Sequence, residues 1–184
     1  MNRRLLIAGV VGAVAMFLWI FVAHMALPLG EAGIKQIDNE EPLLTAMKST
    51  LHGSGMYMFP RMDTNDQAAN QRRIAAGPSG LLIYHSARDF QFGKLLAVEF
   101  AVELVLVLVG MYLLSLTRIR TFAGRLGFFA LLGLGTAAAT NVSYWNWYGF
   151  PGAYTLAYSF TGWVGYLCAG LVAGVMKVGG AKVP

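Results

Sequence analysis

The sequence predicts an all-α integral membrane protein: a four-transmembrane-helix bundle with a small extracytoplasmic α+β cap between helices 1 and 2. Three observations carry this expectation. The 184 residues are 57% hydrophobic and only 12% charged, with a mean hydropathy of +0.56, whereas soluble domains average about 25% charged residues. Four runs, Leu5 to Leu27, Leu95 to Leu116, Leu126 to Tyr144 and Ala153 to Met176, reach roughly the 20 residues that a helix needs to cross about 30 Å of hydrocarbon. Charge is also segregated. Arg3, Arg4, Arg118, Arg120, Arg125, Lys177 and Lys182 flank the runs on one side with no acid among them, and the acids lie between Glu31 and Glu103.

That segregation is the positive-inside pattern. It puts both termini and the 117–125 turn in the cytoplasm and residues 29–93 outside, in a multi-pass arrangement of the bacterial inner-membrane kind. The formal net charge of +5 is then a matter of topology, and the lipid bilayer, not a nucleic acid, is the expected partner. The first run follows Arg3 and Arg4 as a secretory signal would, but a signal core is about 7–15 residues and this run is longer, which favours a retained helix.

In chain order, residues 1–28 read as transmembrane helix 1. Gly9, Gly12, Ala13 and Ala15 give it a face that another helix can approach, and Pro28 ends it. Residues 29–93 read as the cap. Asp38 or Asn39 is the expected cap of a helix with Leu43, Leu44, Met47 and Leu51 on one face, stopped by Gly53. Gly55–Phe59 and Gly80–His85 read as strands, and the stretch between them as a helix opened by Thr64 and Gln67 at capping-box spacing. Residues 94–117 form helix 2, anchored by Lys94. Residues 118–150 form helix 3, whose glycine and alanine content from Gly133 to Ala139 predicts the centrally packed helix, followed by an aromatic outer loop. Residues 151–184 form helix 4 and a short, mobile cytoplasmic tail.

The residues with chemical potential are few. Glu99 and Glu103 lie inside the second apolar run, and a spacing of four puts both on one helical face. Intramembrane acids are functional candidates because a buried charge is costly unless paired. Topology brings them to the depth of His24, of Asn141, and of Tyr158, Ser159 and Thr161. The catalytic candidates are therefore Glu99, Glu103 and His24, and the cofactor-binding candidates Asn141 and Tyr158. The bland alternative is that Glu103 hydrogen-bonds a hydroxyl or amide on a neighbouring helix. A metal site in the bundle is the weaker reading, because carboxylate-bridged sites use Glu-x-x-His pairs and the chain has none.

In the cap, His52, Met56, Met58 and Met62 invite a copper hypothesis, since thioether and imidazole suit that metal. The stronger reading is that Met56 and Met58, sharing one strand face, fill apolar gaps. Cys168, the single cysteine, reads as a small packing residue. Gly165, Ala169 and Ala173 at intervals of four, with Gly170 and Gly174, form a helix-packing face. Trp145, Trp147 and Tyr148 are the expected interface anchors.

No Gly-x-Ser-x-Gly, phosphate-loop, Cys-x-x-Cys or His-Glu-x-x-His pattern occurs. The expectation is a non-catalytic accessory or structural subunit that packs against other membrane subunits or copies of itself, with the cofactor left open. The alternative is a small membrane oxidoreductase or proton-coupled transporter that uses the intramembrane carboxylates at a quinone or metal site in the outer leaflet.

Overall fold

The computed structural model describes residues 3–179. Its elements run α1 (Arg3–Met25), α2 (Glu41–Thr50), β1 (Gly55–Phe59), α3 (Gln67–Ala76), β2 (Gly80–Tyr84), α4 (Phe92–Ser115), α5 (Phe122–Ala137), a π-helical turn (Ala138–Val142), α6 (Ser143–Tyr148) and α7 (Gly152–Val175). Because α5, the π turn and α6 continue one another, four rods are long and apolar enough to cross a membrane: Arg3–Met25, Phe92–Ser115, Phe122–Tyr148 and Gly152–Val175. The chain divides into a helical unit, built from the sequence up to Ile34 and from Gln91 onward, and a second unit, Lys35–Phe90.

In the helical unit α7 is the hub. It packs against α1 on one side and α5 on another, and α4 packs against α1. Small residues set these approaches. A Cβ on Gly165 would lie 3.1 Å from Met16 Cγ of α1, and one on Gly170 would lie 2.9 Å from Phe129 Cβ of α5. Gly165, Ala169, Gly170, Ala173 and Gly174 are all buried. The small-residue face of the fourth rod is therefore filled within the chain.

The third rod is not the central helix that its composition predicts. Arg125, Phe129 and Gly133 are buried, but Gly135, Thr136, Ala138, Ala139 and Thr140 are exposed. Small residues permit a close neighbour without supplying one. The centre goes to α7, whose glycines serve helices on two sides. The aromatic stretch expected as a loop is also helical, because nothing before Gly149 breaks the winding. Gly149, at φ +69°, closes the rod with its N–H on the Trp145 carbonyl at 3.2 Å, a left-handed cap that glycine adopts without strain.

At the end of the unit where α4 turns into α5, Gly110 lets Phe129 approach to 2.8 Å of a would-be Cβ. The Thr121 hydroxyl caps α5 by accepting from Gly124 N at 3.0 Å. Arg125 is buried there, donating from Nε to the Val178 carbonyl and from Nη1 to the Arg120 carbonyl at 2.6 Å. A buried guanidinium requires such acceptors. The first residues of the tail pack against the bundle, with Val178 buried and Gly179 at φ +88° against Leu114. Residues 180–184, including Lys182, lie outside the described residues.

The second unit holds two short helices and an antiparallel strand pair, joined through α3, in which Gly55 faces Tyr84 and Phe59 faces Gly80. Its helix starts differ from the expected ones. Glu40, not Asp38 or Asn39, precedes α2 and makes no side-chain cap, leaving the start to the proline in the first turn. Asp66, not Thr64, caps α3 by accepting from Ala69 N at 2.8 Å. A carboxylate three residues before that amide has the correct reach, and Thr64 stands two residues too early.

Candidate functional site

On α1, Phe17, Ile20, Phe21 and His24 recur at spacings of three and four, which keeps them on one face. They form the floor of a groove of about 450 Å³ in the helical unit. One wall is α4, through Leu95, Leu96 and Glu99, and the other is α7, through Tyr158, Thr161 and Gly162. The groove exists because α4 leans on α1 and makes little contact with α7. Its floor and walls are held by Phe17 edge-on to Phe100 at 5.6 Å, and by Trp19, whose indole N–H donates to the Thr161 carbonyl at 2.8 Å.

Four of the residues that the sequence places at one depth line it: His24, Glu99, Tyr158 and Thr161. His24 Nδ1 lies 2.9 Å from the Ile20 carbonyl. Because a carbonyl only accepts, Nδ1 carries the proton, and in the neutral ring Nε2 is left as an acceptor. The ring stands edge-on to Tyr158 at 5.5 Å, and Tyr158 stacks on Tyr154 at 4.1 Å. The Tyr158 hydroxyl donates to the Gly30 carbonyl at 3.2 Å, tying the segment after α1 to α7. Glu99 is exposed at the rim.

Glu103 lies on the same face of α4, about 6 Å further along the helix, and is only 1% exposed. The neighbouring hydroxyl or amide expected to bond it is missing. Both carboxyl oxygens are buried without a hydrogen-bond partner, as are the hydroxyls of Thr161 and Ser159. The reason lies in the packing: the residues of α1 opposite α4 are apolar, with Phe17 against Phe100 and Gly12 against Val107.

The remaining candidates lie apart from the groove. Asn141 sits in the π turn and does not line it. Met56, Met58 and Met62 are exposed, and His52 is exposed in the loop before β1. The two strand methionines therefore do not fill an apolar interior. Met56 pairs with Ile83 and Met58 with Leu81, and Met56, Met58 and Ile83 are exposed. Among the described residues no group of three His, Cys, Asp or Glu side chains is placed to hold a metal. Trp145, Trp147 and Tyr148 are exposed on α6, and Cys168 is half-buried in α7.

Sequence reasoning missed the aromatic floor of the groove and the Trp19 contact. The signal was present in the spacing of Phe17, Ile20, Phe21 and His24, which reads equally as a lipid-facing stripe. Comparison of the chain with protein-family models, with curated proteins and with solved structures finds no match.

Proposed function

We infer that this chain is a multi-pass membrane protein, of the bacterial inner-membrane kind, that serves as a non-catalytic subunit and holds further membrane helices against its third rod. In this reading the termini and the turn between α4 and α5 are cytoplasmic, and Lys35–Phe90 stands on the opposite side. The observation that carries it is the surface of the third rod. Gly135, Thr136, Ala139 and Thr140 are exposed in a rod that is apolar enough to span a bilayer. Small and hydroxyl-bearing residues offer little contact to acyl chains but let another helix come close, with backbone and hydroxyl groups in reach. The small-residue face of α7 adds nothing to this support, since α1 and α5 already fill it.

Native mass spectrometry of the protein extracted in mild detergent from its own membrane tests the reading. The expected result is a mass above that of the 19.9 kDa chain, and loss of the companion mass when Gly135 and Ala139 are both changed to Leu. A lone chain in that spectrum would overturn the subunit role.

A further inference from the structure

We propose that the groove between α4 and α7 is a binding site for a lipophilic ammonium: an amphiphile with a protonated amine at its head and an apolar tail. Glu99 offers a carboxylate at the rim, and His24 in its neutral form offers Nε2. Both groups are acceptors in these forms. No lysine or arginine lines the groove.

Such a site discriminates by charge and by donor count. A cationic N–H head satisfies several acceptors at once and neutralises carboxylate charge that nothing else in the groove offsets. An alcohol has one proton to donate and no charge. A carboxylate or phosphate head meets acceptors and like charge. The remainder of the surface takes the tail: Phe17, Ile20, Phe21 and Leu95 are apolar, and the aromatic rings of Phe21 and Tyr158 suit a neighbouring cation. A volume of about 450 Å³ lies within the range of roughly 300–1,000 Å³ that small-molecule sites occupy.

The inference rests on the groove alone and stands or falls separately from the subunit role. It is tested on the full chain in nanodiscs of zwitterionic lipid, by titration calorimetry with octylammonium, 1-octanol and octanoate, with empty nanodiscs as the blank. Octylammonium is expected to bind saturably and at least about tenfold more tightly than 1-octanol, as the loss of a charge-assisted hydrogen bond implies, with no saturable binding of octanoate. Glu99→Gln is expected to weaken octylammonium by a similar factor and to leave 1-octanol unchanged. Because Glu99 is exposed, that variant keeps the fold. Equal affinity for the amine and the alcohol would overturn the proposal and make the groove a general cleft for acyl chains. Undiminished amine binding by Glu99→Gln would overturn it as well.

Discussion

A carboxyl group removed from water with neither oxygen hydrogen-bonded carries a desolvation cost that a thioether of similar length does not, and Glu103 is in that position. Glu103→Met is therefore expected to raise stability by about 1–3 kcal/mol, read as a higher midpoint of thermal unfolding in detergent. A lower midpoint would mean that the carboxyl is bonded in the folded protein. The depth of Glu103 was legible from its place in an apolar run. Its lack of a partner was not, because that depends on which residues of α1 stand opposite. Arg125 teaches the converse. Its charge sign served the topology argument, but its burial against the Val178 and Arg120 carbonyls depends on a chain end more than fifty residues away, which no local pattern encodes.

Between elements, the bundle is assembled through glycine contacts of unequal consequence. Gly170 has Phe129 Cβ 2.9 Å from where its own Cβ would be, whereas nothing lies within 4 Å of that position at Gly127. Gly170→Leu is expected to lose at least about 1–3 kcal/mol through overpacking of α5 on α7, and Gly127→Leu to leave stability near the wild-type value. Thermal unfolding of the two variants side by side separates them; equal losses would mean that α5 and α7 do not meet at Gly170. The four rods and the two strands were legible as lengths and periodicities, since those are local properties. The order of neighbours was not. A glycine-rich helix reads the same whether its small face meets a helix or stands open, as Gly133 and Gly135 show two residues apart. The helix starts in Lys35–Phe90 were misplaced for a related reason: several Asp, Asn and Thr residues compete to cap, and the three-residue reach to a free amide selects Asp66.

At the scale of the whole molecule, the charge asymmetry predicts an orientation that labelling can test. In a Cys168→Ala background, a membrane-impermeant maleimide is expected to modify Ser54→Cys in intact cells and Arg118→Cys only after permeabilisation. The reverse pattern would invert the topology, and labelling of both in intact cells would remove the membrane barrier between them. The apolar content, the four rods and the two units could be anticipated from composition. The groove could not, because it is a space left between α4 and α7 by the way α4 leans on α1, and an unfilled space has no residue of its own. The π turn at Ala138–Val142 adds a property of this kind to the third rod. A turn widened by one residue shifts helical phase by about 100°, so the rings of Trp145 and Trp147 leave the rod about a quarter-turn from where unbroken winding would aim them. The rod thus shows one compass bearing below the bulge and another above it, and its glycine surface and its indoles can address two different neighbours.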